Sequence, residues 1–285
     1  MSLLSLKEIL DPAKDENFAV PAFNFFSFED AKAIVRAAEE LNSPVILMSS
    51  GSCVKNFGIE TAASVMRNLA FNASVPVVAH LDHADNLELI FKAMHHGYTS
   101  IMYDGSMLPV EENIKNTQFV VKVAHSLGIS VEAEIGRVAK GEEGESAEEI
   151  LTTPESAKYF QDATGVDCLA VAVGTKHAMQ SQKANIKFDN VEKISAIVKI
   201  PLVLHGSSGV TNEELDRIKN TKFAKINIGT VLRRTYIDEI RKTLKENPDL
   251  KDHLKLLQKS SMAVSEKVKE KICILKSDGK ADIYK

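Results

Sequence analysis

Short runs of apolar, often β-branched residues recur along the chain, and between them apolar positions return at helical spacing. The runs lie at Phe18–Asn24, Val45–Ser49, Val77–Leu81, Ser100–Tyr103, Ser130–Ile135, Cys168–Val173, Leu202–His205 and Lys225–Ile228. Runs of this length fit parallel strands covered on both faces. Between them, Phe28–Leu41 is apolar at Ala31, Ile34, Val35, Ala38 and Leu41, the stripe of a helix that buries one side. Val110–Leu127 and Val191–Val198 repeat the pattern. Eight strand-then-helix alternations without a linker predict one α/β domain over residues 1–285, a closed (β/α)8 TIM barrel rather than an open sheet. Beyond Thr230 the spacing stays helical to about Lys276 with a break at Pro248, so the eighth helix runs on into a C-terminal helical extension.

Composition narrows the field. Lysine plus arginine total 35 against 39 acidic residues, a net charge of -4, which argues against a nucleic-acid partner. The three cysteines are far apart and form no CxxC pair, so a cytoplasmic, reducing environment is expected rather than a disulfide framework. No apolar run approaches the ~20 residues that span a bilayer, so no membrane partner is expected.

The chemistry gathers where the strands end, the active face of this barrel class. Strand one ends in Asn24, strand three in Asp82 and His83, and strand four in Asp104. Strand five carries Glu132 and Glu134, strand six runs into His177, strand seven ends in His205, and strand eight ends in Asn227. A single histidine in such a place usually packs. Three on one rim, with a fourth position left open, make a catalytic zinc arrangement. Glu132 and Glu134 share one face of their strand. Facing inward, they either bind metal, Glu134 together with Asp104, or pair with a lysine such as Lys225 or Lys176. His80, one period deeper than Asp82, reads as structural support. The acidic, glycine-dotted segment Arg137–Thr153 follows a strand end and suits either a solvated loop or a lid. The turns His205–Gly209 and Asn227–Thr230 follow strands seven and eight, where this barrel binds phosphate through backbone N–H groups, hydroxyls such as those of Ser208 and Thr230, and a helix start.

Six segments then carry a resemblance: V-P-A-F-N (20–24), L-D-H (81–83), S-V-E-A-E-I-G (130–136), G-T-K-H (174–177), P-L-V-L-H-G-S-S-G (201–209) and K-I-N-I-G-T (225–230). In order and spacing they resemble the class II, zinc-dependent ketose-bisphosphate aldolases, nearer the tagatose-bisphosphate branch. The resemblance implies a cytoplasmic carbon–carbon lyase of carbohydrate metabolism, such as glycolysis. It would cleave a ketose phosphate into dihydroxyacetone phosphate and an aldehyde. His83, His177 and His205 would hold Zn2+, with Asp104 and Glu134 at a second divalent metal. Asp82 would take the C4 hydroxyl proton, and Glu142 would be the second acid/base. Substrate would be bound by Asn24, Ala178, Gly206, Ser207, Ser208, Asn227, Ile228, Gly229 and Thr230. A monovalent cation (Na+ or K+) would sit beside the residues that follow His177 and His205, and the subunits would form a homodimer or homotetramer.

Three departures from the family pattern shape the substrate expectation. Ala178 replaces a glycine, Gly229 stands where fructose-directed members carry Asp, and no arginine follows Arg241. These favour a tagatose-type or longer monophosphorylated ketose over fructose 1,6-bisphosphate. The rival readings are a Schiff-base aldolase using Lys176 and a non-catalytic metal-binding subunit on the same scaffold. A metal-dependent amidohydrolase would need an H-x-H on strand one, which ends here in Phe23–Asn24.

Overall fold

The computed structural model of the protein describes residues 2–140, 149–177, 179 and 184–285. Eight parallel strands form its centre: β1 (Val20–Asn24), β2 (Val45–Ser50), β3 (Val77–Ala84), β4 (Ser100–Tyr103), β5 (Ser130–Ile135), β6 (Cys168–Val171), β7 (Leu202–Leu204) and β8 (Phe223–Ile228). Each pairs with the next, and β8 returns to β1 with Lys225 opposite Val20 and Ile228 opposite Phe23, so the barrel is closed. The helices are α1 (Leu6–Asp15), α2 (Phe28–Glu40), α3 (Gly51–Phe57), α4 (Ile59–Asn72), α5 (Leu87–His95) and α6 (Val110–Ser126), followed by α7 (Pro154–Thr164), α8 (Phe188–Ile197), α9 (Asn212–Ile218), α10 (Thr230–Glu246) and α11 (His253–Ile274).

The strands bury two separate apolar layers, which is why they read as unbroken apolar runs. Side chains pointing outward, such as Phe23, Leu47, Ala79, Ile101, Val131, Leu169 and Ile226, pack under the helices. Those pointing inward near the strand starts (Val20, Ala22, Ile46, Met48, Val78, Cys168, Ala170 and Val203) meet Leu6, Ile9, Leu10 and Ala13 of α1. Helix α1 therefore stoppers the end of the barrel where the strands begin. Leu3–Leu4 extends the edge of β3 beside Val77 and Val78, below the point where β4 starts. Higher up, the inward positions turn polar, and that change of character locates the site.

The C-terminal extension is the predicted pair of helices, with the break between them at residues 247–252 around Pro248. Helix α11 lies against α2 and α10, and the Tyr284 hydroxyl donates to the Ile9 carbonyl at 2.8 Å. Helix α3 is an addition that periodicity did not announce. Gly58, at φ 78, ends α3 and opens α4. Among the described residues no helix is long and apolar enough to cross a membrane.

Candidate active site

The site is assembled at the ends of the strands, and β3 contributes its most unusual geometry. The ladder between β3 and β4 slips between Leu81 and Ala84, and His83 has φ 51, the left-handed region that few side chains adopt. Alternation would send Asp82 inward and His83 outward. The bulge instead turns both neighbours toward the barrel axis, at a local strain of the kind found in functional positions. His177 arrives differently from the expected extension of β6. The chain leaves β6 at Val171, turns at Gly174 (φ 100), and forms a separate two-residue strand, Lys176–His177, paired in parallel with Ala139–Lys140. The stem of the acidic segment is thereby tied to the strand carrying His177. His205 follows β7 directly.

The three imidazoles meet. Ring centroids lie 5.0 Å apart for His83 and His177, 4.6 Å for His83 and His205, and 5.8 Å for His177 and His205. One ligand atom from each lies within 4.8 Å of the others, and the same holds for His83, Asp104 and Glu134. Each of two rings is held from behind by a carboxylate. His83 Nδ1 is 2.7 Å from Asp104 Oδ2, and His205 Nε2 is 2.9 Å from Glu132 Oε1. The opposite nitrogens, His83 Nε2 and His205 Nδ1, are buried without a hydrogen-bond partner among the described residues. Glu134 Oε2 is 3.2 Å from His205 Nδ1 but off the angle for a hydrogen bond, and it too is unpartnered. Buried ring nitrogens left without a partner are costly. An imidazole trio with an open fourth side is the donor set of zinc, so the residues fit the ion.

The two glutamates of β5 divide the roles left open for them. Glu132 is fully buried, paired with Lys225 at 2.7 Å behind His205, whereas Glu134 groups with His83 and Asp104 as a candidate metal ligand. Lys176 is exposed and does not line the cavity. Asp82 lies beside the trio, its two oxygens accepting from Asn24 Nδ2 at 2.8 Å and Asn227 Nδ2 at 3.1 Å. Burial works to raise its pKa, yet the neighbouring His83, Lys225 and His205 hold it below the usual carboxylate value. Burial also opposes charge on His83, but Asp82 and Asp104 outweigh it and push the pKa up to about 10. Burial, reinforced by His83 and His205, takes His177 down to about 3.

An open cavity of about 180 Å³ lies over this group, lined by Asn24, Asp82, His83, His177, Gly206, Ser207, Ser208, Asn227, Gly229 and Thr230. Ser207–Gly209 forms a short 3-10 turn, its Ser207 hydroxyl donating to the Asn227 carbonyl. Ser208 Oγ is buried and unpartnered among the described residues. Thr230 opens the 17-residue helix α10, so its N-terminal partial charge faces the same cavity. Ile228 differs from the other substrate candidates. Its side chain belongs to the core under the helices, leaving only its main chain to meet a ligand. Glu142 and Ala178 lie outside the described residues.

Sequence reasoning missed Ser50, Ser52 and Arg233, which line the far side of the cavity. The two serine hydroxyls are 3.0 Å apart, and the Arg233 guanidinium lies 5.0 Å over the Phe26 ring. Phe26 is fixed by Asp30, whose carboxylate accepts from the Phe26 and Ser27 backbone N–H groups. The signal for Arg233 was its place one turn into the helix that follows the phosphate-type turn.

The family described as fructose-bisphosphate aldolase class II matches residues 4–280. The chain belongs to that family. It is similar to a fructose-bisphosphate aldolase of Thermus caldophilus, at 38% identity over 96% of this chain and 98% of the relative. A sulfofructosephosphate aldolase of Alkalicoccus urumqiensis is 34% identical over the whole of both chains. Among solved structures, the YdjI aldolase of Escherichia coli K12 superposes with a TM-score of 0.88 at 35% identity, covering 98% of this chain and 99% of that one. As a class II aldolase the chain is a carbon–carbon lyase acting on ketose phosphates.

Proposed function

We propose that this aldolase reversibly cleaves a ketose phosphate, of tagatose type or longer, into dihydroxyacetone phosphate and an aldehyde, with zinc held by His83, His177 and His205. The observation that carries the reading is Asp82. A carboxylate kept ionised, gripped through both oxygens by Asn24 and Asn227, stands covalently next to one imidazole of the trio. In the cleavage direction Asp82 accepts the C4 hydroxyl proton, the C3–C4 bond breaks, and its electron pair passes to the three-carbon fragment as an enediolate. Zinc supplies the Lewis acid that stabilises this negative charge. Asn24 and Asn227 orient the base, and Asn227 also faces the three-carbon fragment. Ser208, Gly229 and Thr230 receive its phosphate at the start of α10. Glu142, on the acidic segment whose stem pairs with the strand of His177, returns a proton to carbon. Asp104 and Glu134 offer a second divalent position, and the turns after His177 and His205 a monovalent one.

The distal end of the substrate meets Ser50, Ser52 and Arg233, and a guanidinium can donate to the anionic oxygens of a phosphate or a sulfonate. Gly229, lacking a side chain beside Asn24, is the reason for placing a tagatose-type ketose above fructose 1,6-bisphosphate. The test is carbon–carbon bond formation from dihydroxyacetone phosphate with a panel of aldehydes, including glyceraldehyde 3-phosphate, a sulfonated three-carbon aldehyde and longer uncharged ones. We expect condensation that a chelator abolishes and zinc restores. Turnover that survives the chelator, with borohydride trapping substrate on Lys176, would replace this reading with Schiff-base chemistry.

A further inference from the structure

Below the three imidazoles the barrel holds a second group of charges that the reaction above does not use. Glu132 and Lys225 are wholly buried, with Lys225 Nζ 2.7 Å from Glu132 Oε2. Cys168 Sγ donates to the same oxygen at 3.7 Å, and His80 Nε2 stands 3.7 Å from it. The other oxygen, Oε1, lies 2.9 Å from His205 Nε2. Sealing such a pair in a core costs about as much in desolvation as its attraction returns, and apolar residues of similar volume often hold a fold as well or better. Stability alone does not account for it.

Its effect falls on His205. A neutral imidazole carries one N–H, and an ionised carboxylate only accepts, so a hydrogen bond from Nε2 to Glu132 commits the ring proton to Nε2. Nδ1 is then the lone-pair atom, and it is the nitrogen left without a hydrogen-bond partner beside Glu134. Glu134 competes for the same proton from 3.2 Å but lies off-angle, whereas Glu132 is held in line by Lys225. We propose that Glu132, clamped by Lys225, is a positioning residue that fixes the His205 proton on Nε2 and so aims the Nδ1 lone pair at the ion. This inference rests on the zinc reading above.

Two measurements test it. In zinc-loaded protein labelled with nitrogen-15 in its histidines, ring spectra are expected to show His205 protonated at Nε2, with Nδ1 carrying the metal shift; coordination through Nε2 overturns the proposal. In the double variant Glu132→Leu/Lys225→Met, zinc affinity measured by chelator competition is expected to fall by about 10- to 100-fold. The metal-free double variant should unfold at a denaturant concentration no lower than the parent's. Zinc affinity equal to the parent's in a folded double variant removes the positioning role while leaving the zinc reading intact. Failure of the parent itself to bind zinc removes both. Should the double variant not fold, the ring spectra of the parent decide the matter.

Discussion

Asp82 is where a single side chain decides the most. Removing a positioned acid/base costs on the order of 10²- to 10⁴-fold in rate, and Asp82 is not one of the three imidazoles. In Asp82→Ala, cleavage should fall by about that factor while metal analysis still finds zinc; unchanged turnover would take Asp82 out of the mechanism. Gly229 acts through its neighbour. A Cβ there would come within 2.7 Å of Asn24 Oδ1, and Asn24 holds Asp82 at 2.8 Å. Gly229→Ala should therefore displace Asn24 and lower kcat/KM by about 10-fold, the worth of one charged hydrogen bond, without altering zinc content. The strand-end polar residues were visible as letters, because no apolar strand needs Asp, His and Asn at its finish. Which of Glu132 and Glu134 would pair with Lys225, and which would join His83 and Asp104 as a candidate ligand, was not visible. Both point inward, and only the height at which Lys225 enters from β8 separates them.

At the level of elements, the eight apolar runs correspond to the eight strands within a few residues at each end. The runs were legible because a strand covered on both faces has no room for polar interruption. The largest difference is at β3, which runs three residues past Leu81 to Ala84, and beyond β6 Lys176–His177 form a second pairing of their own with Ala139–Lys140. That second pairing joins distant segments, so no local pattern encodes it. The bulge in β3 was equally hidden, since nothing in L-D-H marks a left-handed histidine. Gly206 shows how tightly the turns are packed around these elements. It has φ 67, and a Cβ would lie 2.7 Å from the Lys176 carbonyl carbon. Gly206→Ala should combine backbone strain of about 1–2 kcal/mol with a push against the strand of His177. Urea unfolding is expected to report a loss of at least that size, accompanied by weaker zinc binding. A variant as stable as the parent would mean the turn can move aside.

The whole barrel stacks an apolar floor, a charged middle and a polar rim, and its histidines make stability depend on pH. His80 is taken down to about 3, mainly by burial and then by Lys225, and His177 likewise to about 3. A lowered histidine contributes stability that is present above its unfolded pKa of 6.5 and lost as pH falls toward 3. His83, raised to about 10, contributes stability that is present below 6.5 and lost as pH climbs toward 10. Guanidinium unfolding of the chelated protein should thus be most resistant near pH 6.5, and His80→Asn should flatten the acid limb; a profile level from pH 4 to 9 would contradict these assignments. The stopper formed by α1 has a further effect on traffic. A vessel plugged at one end has one mouth, so the ketose and both of its fragments share a doorway. A compound lodged in that doorway should slow synthesis and cleavage alike, whichever fragment it imitates.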